Sequence, residues 1–117
     1  MKSKIFITVL VAVITASGMF AQVHDHSKIL KSDTIRVAGK CGMCKSRIEE
    51  AAKIKGVSKA DWNSSTNLLV LVYDPGVTST ESVQKLIASA GHDTEKFKAE
   101  DKVYNSLPGC CKYNRLK

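Results

Sequence analysis

The chain has 117 residues, a formal net charge of +7, four cysteines and two prolines. So short a chain excludes a multidomain assembly. Its basic residues are scattered among acidic ones, with no basic helix face and no cluster of exposed aromatics, which excludes a nucleic-acid surface and reads as solubility with mild attraction to anionic surfaces. No Ser-His-Asp or paired-carboxylate arrangement marks a catalytic set, so no enzyme is expected.

Lys2 and Lys4 precede an apolar run from Ile5 to Ala16, broken only by Thr8 and Thr15, and small residues then lead to Met19-Phe20-Ala21-Gln22. This pattern predicts a secretory signal over 1–21, cut after Ala21. The run is too short and wrongly flanked for a transmembrane helix, so no stable membrane insertion is expected after cleavage, and no cysteine near the cut indicates a lipid anchor. Removal leaves 96 residues with a net charge of +5, because only Lys2 and Lys4 among the charged residues are lost. Export to the periplasm or another extracytoplasmic space tolerates disulfides, and four cysteines permit three fully paired connectivities.

The stretch 22–32 is polar and reads as a flexible leader. If the mature chain begins Gln22-Val23-His24, the terminal amine, two backbone nitrogens and the His24 imidazole offer a square-planar nitrogen site of the kind that suits Cu(II) or Ni(II), with His26 nearby. The competing reading is a leader with incidental histidines.

From Asp33 to Ala38 the residues alternate, with Ile35 and Val37 on one face, as in a half-buried strand. Then comes Gly39-Lys40-Cys41-Gly42-Met43-Cys44-Lys45, a CxxC at a strand-to-helix turn. Two thiols so spaced converge on one soft ion, and a place at a helix N-terminus, where unpaired N–H groups and the helix dipole favour negative charge, marks Cys44 as a thiolate. Lys40, Lys45 and Arg47 add positive charge. Thiolate pairs select Cu(I), Zn(II) or Hg(II) over hard ions. The same spacing serves thioredoxin-like redox chemistry, a structural disulfide and half of many zinc sites. A thioredoxin-like enzyme, however, needs a cis-proline loop beside the dithiol, and neither Pro75 nor Pro108 suits that role.

Ile48, Ala51 and Ala52 fall at helical spacing up to Gly56, which is expected to end the helix in a left-handed conformation. Val57 to Trp62 reads as a strand with Ala60 and Trp62 on one face, and Asn63 to Thr66 as a turn. The run Leu68 to Tyr73 is apolar at every position, so it is expected to be a central strand covered on both faces. Thr78 with Glu81 has the form of a capping box, and Val83, Leu86, Ile87 and Ala90 make an apolar helix stripe up to Gly91. A weak strand is expected over Thr94 to Ala99. The order is β-α-β-β-α-β, the split βαβ or ferredoxin-like arrangement, with an antiparallel sheet and both helices on one face. The extension over 100–117 carries Tyr104, Leu107, Pro108-Gly109, Cys110-Cys111 and Tyr113. Tyr104 and Leu107 are expected to cover the sheet face left open by the helices.

With a CxxC in the first βα loop of that pattern, the stretch 33–99 resembles the heavy-metal-associated domain family. This family includes copper chaperones, the N-terminal modules of copper-exporting ATPases and an exported mercury-binding protein. The resemblance implies that Cys41 and Cys44 hold a metal ion, usually Cu(I) in near-linear geometry, with Hg(II) or Zn(II) as alternatives. It also implies a partner among metal-transporting membrane proteins or other metallochaperones, and a function in metal capture, buffering or transfer by thiolate exchange. A mercury scavenger of the same fold and a thiol-disulfide oxidoreductase are the rival readings. Two positions depart from the family pattern. Gly39 stands where a methionine commonly braces the loop, the methionine here being Met43 between the thiols, and His92 stands where an aromatic residue often follows Gly91. His92 is therefore a candidate third ligand, against a solvated loop residue. Met43 reads as a partly exposed hydrophobe at the site's rim, against a weak soft thioether ligand, because it points from the middle of a tight loop. Adjacent cysteines rarely pair with each other because the ring is strained. Cys110 and Cys111 are thus candidates to reach the CxxC, as ligands or disulfide partners, or to link another chain.

Overall fold

The computed structural model describes residues 29–116. Three strands, β1 (Lys31–Arg36), β2 (Val57–Asn63) and β3 (Leu68–Tyr73), form an antiparallel sheet in the order β1-β3-β2. Two helices, α1 (Gly42–Ala52) and α2 (Thr80–Ser89), pack on one face of it, and a short helix α3 (Asp101–Asn105) and a 3₁₀ turn at Gly109–Cys111 follow. β1 begins at Lys31, inside the stretch that reads as leader in the sequence.

β3 is central, with Leu69 opposite both Ile35 and Trp62 and Leu71 opposite Ala60. These side chains share one face and meet Cys44, Ile48 and Ala52 of α1 and Val83 and Ile87 of α2 in a single core. Contrary to the all-apolar run, only one face of β3 is covered: Leu69, Leu71 and Tyr73 are buried, while Leu68 is exposed and Val70 and Val72 are half-exposed. The segment after Ala99 does fold back, but onto the loop that follows α2, not onto that face. Leu107 is buried against Gly91, and a Cβ built on Gly91 would lie 2.9 Å from a Leu107 methyl. Gly91 also has φ +106°, so a side chain is excluded there twice over.

The expected fourth strand does not form. Thr94 makes an isolated antiparallel bridge to Val37, and the chain then curls back: the Thr94 N–H donates to Phe97 O at 2.7 Å and the Phe97 N–H to Thr94 Oγ1 at 3.0 Å. Buried Gln84 takes the Thr94 hydroxyl at 2.9 Å and the Lys96 N–H at 3.2 Å. Backbone groups that a ladder would need are thereby satisfied locally. Gln84 occupies the inner face of α2 while Leu86 is exposed, which corrects the apolar stripe. The cap is also different. Ser79, not Thr78, accepts the Ser82 N–H, and Glu81 pairs with Lys96 at 3.0 Å.

Trp62 decides the shape of the region around the CxxC loop. Its indole N–H donates to Val37 O at 2.9 Å, and its ring lies under Gly39, where a Cβ would come within 2.7 Å of the ring and 3.2 Å of Cys44 Cβ. The bulk beside Gly39 is thus supplied from β2. Lys45, expected to add charge at the thiols, is turned away to Glu49, Asp61 and Trp62 O at 2.6 to 2.9 Å, and Glu49 accepts the Trp62 N–H. This cluster ties α1 to β2.

Two predictions follow from this packing. Gly39→Ala forces a methyl into the Trp62 ring and is expected to cost about 1–3 kcal/mol, read as a lowered thermal midpoint with a shifted Trp fluorescence maximum. Leu107→Ala is expected to cost about 2–5 kcal/mol in urea unfolding, whereas Val77→Ala, at a residue 50% exposed, changes stability little; equal effects would place Leu107 outside the core.

Candidate metal centre

α1 starts immediately after Cys41, which occupies its N-cap position with extended backbone (φ −136°, ψ 179°). No oxygen-bearing side chain caps the helix. The Cys41 sulfur faces the backbone N–H groups of Cys44 and Met43, and these donors lower its pKa to about 7, aided by the Cys44 and Cys111 thiols and opposed by partial burial. The helix start thus acts on Cys41 at its N-cap position, in addition to the first-turn place that the sequence gives Cys44. Cys44 lies on the inner face of α1, fully buried, as part of the core.

The docked segment completes the arrangement. Cys111 Sγ is 3.6 Å from Cys41 Sγ, which is itself 3.6 Å from Cys44 Sγ, and the three sulfurs all lie within 4.8 Å of one another. All four cysteines are free thiols. Burial pushes the Cys111 thiol up, reinforced by the neighbouring thiols, since a buried negative charge beside other sulfurs is costly. With metal–sulfur bonds of about 2.3 Å, two sulfurs in a linear pair stand about 4.6 Å apart and three in a trigonal plane about 4.0 Å apart. The observed 3.6 Å separations are nearer the trigonal value.

Cys111 is held by a clamp behind it. The Tyr113 hydroxyl donates to Gly91 O at 2.6 Å and accepts the Asp93 N–H at 2.8 Å. The fully buried Asp93 carboxylate accepts two bonds from Arg115, at 2.8 and 3.1 Å, and the Ala99 N–H at 2.8 Å. Burial alone would raise the Asp93 pKa; the Arg115 guanidinium and the Ala99 N–H outweigh it and hold the group below its ordinary value. Tyr104 stands edge-on to Tyr113, with ring centroids 5.0 Å apart, and donates its hydroxyl to Tyr113 O.

His92 belongs to this clamp and is not one of the clustered thiols' partners. It is fully buried, its Nδ1 bonds Ala38 O at 2.9 Å, and its ring stacks on Tyr113 at 5.3 Å. Full burial excludes the solvated loop residue, and the His92 nitrogens are not among the atoms gathered with the three sulfurs. Burial lowers its pKa, so the neutral ring is favoured, and with Nδ1–H donating to Ala38 the unpartnered Nε2 carries the lone pair. Cys110 sits at the surface, with Sγ 3.5 Å from Met43 Sδ and 4.0 Å from Cys111 Sγ. His24 lies outside the described residues. The sequence named Tyr113 in the C-terminal extension without a role and singled out neither Asp93 nor Arg115.

No family model matches the chain. A search of known proteins finds the copper-exporting P-type ATPase of Bacillus subtilis (strain 168), 32% identical over 83 residues, or 69% of this chain; the chain spans about a tenth (10%) of that relative's length. Among solved structures, the CopZ metallochaperone is 30% identical with a TM-score of 0.53, covering 55% of this chain and 98% of its own. Oxidized MerP from Ralstonia metallidurans CH34 is 31% identical with a TM-score of 0.54, covering 56% of this chain and 94% of its own. A ferredoxin-like scaffold, thiols gathered at the first strand-to-helix loop and these likenesses agree: the chain belongs to the heavy-metal-associated domain family.

Proposed function

We propose that this chain is an exported soft-metal-binding protein that captures Cu(I) and buffers it or passes it on by thiolate exchange. The observation that carries the reading is the gathering of Cys41, Cys44 and Cys111 within 4.8 Å of one another. Their donor set is all sulfur, the chemistry that discriminates for Cu(I) and against hard oxygen-seeking ions. The relatives add a copper-exporting ATPase and a metallochaperone, which makes a metal-transporting membrane protein or another metallochaperone the fitting partner. Lys2, Lys4 and the apolar run to Ala16 are the support for export.

Binding releases thiol protons to water as each sulfur takes up the ion. Cys41 is half-buried, against the fully buried Cys44 and Cys111, so an incoming thiolate reaches the ion from the Cys41 side. Exchange then proceeds by adding one sulfur before another leaves, and the ion is never released to water. Catalysis of a reaction plays no part in this reading. The same all-sulfur triad suits Hg(II), which is the second reading. Relative affinity for Cu(I) and Hg(II), with redox turnover on a disulfide substrate measured beside it, separates copper capture, mercury capture and thiol-disulfide exchange.

Replacing both Cys41 and Cys44 by Ser is expected to abolish tight Cu(I) binding in competition with a chromophoric chelator; wild-type affinity in the double variant overturns the reading. In the reduced, metal-free protein, alkylation of Cys41 by iodoacetamide is expected to reach its half-maximal rate near pH 7, where the thiolate fraction rises, because its pKa is lowered to about 7. Cys111, raised by burial, stays unmodified in the native protein at neutral pH. Peptide mapping by mass spectrometry distinguishes the sites, and a Cys41 midpoint at the free-thiol value of about 8.5 contradicts the assigned role of the helix start.

A further inference from the structure

We propose that Cys110 and Met43 form a second Cu(I) position at the surface, sharing Cys111 with the inner triad, so that the chain holds two Cu(I) ions on five sulfurs. The proposal rests on Cu(I) binding at the triad. It starts from a side chain that the triad does not use. Met43 is 51% exposed on the first turn of α1, where its thioether contributes nothing to the core. From the far end of the chain, 67 residues later, the 3₁₀ turn brings Cys110 Sγ to 3.5 Å from Met43 Sδ, with the thiol donating to the thioether. Two soft donors from separate elements thus meet at the surface.

The sulfurs form an unbroken series from solvent to core. Met43 Sδ is 3.5 Å from Cys110 Sγ, which is 4.0 Å from Cys111 Sγ; Cys111 Sγ is 3.6 Å from Cys41 Sγ, and that is 3.6 Å from Cys44 Sγ. For bonds of about 2.3 Å, sulfurs on one trigonal ion stand about 4.0 Å apart, which the Cys110–Cys111 pair meets at 4.0 Å as it stands. Widening the Met43–Cys110 separation asks only for rotamer adjustment in two surface side chains, one of them an unbranched thioether with three rotatable bonds. A thiolate keeps lone pairs after binding one ion, so Cys111 can bridge, and the vicinal pair at Cys110-Cys111 is what lets one turn of chain serve both positions.

The donor chemistry narrows the occupant. Two thiolates and a neutral thioether match a soft monovalent cation, whereas Zn(II) is served by thiolate, imidazole and carboxylate, none of which but thiolate stands here. Four thiolates against two Cu(I) leave a modest net charge of minus two, beside the Cys41 helix start. The outer ion, at the surface, is the one a partner's thiolate meets first.

The test uses the reduced mature protein, titrated with Cu(I) alone under anaerobic conditions against a chromophoric chelator, with X-ray absorption at each stoichiometry. Two equivalents are expected, the second weaker, and copper–copper scattering is expected only in the two-ion form. Cys110→Ser with Met43→Leu, both at exposed positions and so expected to keep the native far-ultraviolet circular dichroism, is expected to lose the second equivalent and the copper–copper scattering while keeping the first affinity. A wild type that stops at one equivalent overturns the outer position and leaves the triad standing. A double variant that still takes two also overturns it. Failure to bind even one equivalent in competition overturns the triad reading beneath it.

Discussion

The metal centre depends on a clamp that contains no sulfur. The Tyr113 hydroxyl, bonded to Gly91 O and to the Asp93 N–H, joins the C-terminal segment to the loop after α2. Asp93 then takes Arg115 two residues further on, as well as the Ala99 N–H, so a single buried carboxylate secures both ends of the segment. An unpaired buried carboxylate is too costly to persist, and one satisfied on all sides rigidifies its neighbourhood. Because Cys111 lies between Leu107 and Tyr113, both buried, its sulfur has little freedom, and it falls beside Cys41. The third thiol is positioned by tyrosine, aspartate and arginine chemistry at a distance from the thiols.

The loop bearing Cys41 is braced from another direction. Trp62 fills the space over Gly39 and takes Val37 O on its indole N–H. The Lys45–Glu49–Asp61 group and the Glu49 bond to the Trp62 N–H keep β2 and α1 in fixed relation. Partly exposed ion pairs of this kind contribute little stability singly. Their value here is geometric, because they carry Lys45 away from the thiols. Stabilisation of the Cys41 thiolate is left to backbone N–H groups at the helix start, which are fixed in place and cannot swing away when the ion leaves.

The sulfurs differ in their access to solvent. Cys44 and Cys111 are buried on the core side, while Cys41 is half-buried and Cys110 and Met43 stand at the surface. Thiols of unequal exposure give a graded series, in which the half-buried Cys41 is the readily ionised one and burial holds the Cys111 thiol protonated.

The amino-acid sequence by itself determined the order of the first five elements, the strands β1, β2 and β3 and the two main helices, and the position of the CxxC at a helix start. These are local matters: alternation, helical spacing, turn residues and the reach of two thiols across two residues act within a few positions of chain. It also raised, as one of several open readings, the approach of Cys110 or Cys111 to the CxxC. What only the tertiary structure decided is which sulfur arrives, Cys111, and which stays at the rim, Cys110 beside Met43. It turned His92 into a buried ring against Tyr113, placed the C-terminal segment on the loop after α2 and left one face of β3 uncovered. It also dissolved the fourth strand, because Gln84 and Thr94 captured the backbone groups that a ladder would have used. Each of these depends on side chains far apart in sequence competing for the same buried hydrogen bonds and the same few cubic ångströms, and that competition has no periodic signature along the chain.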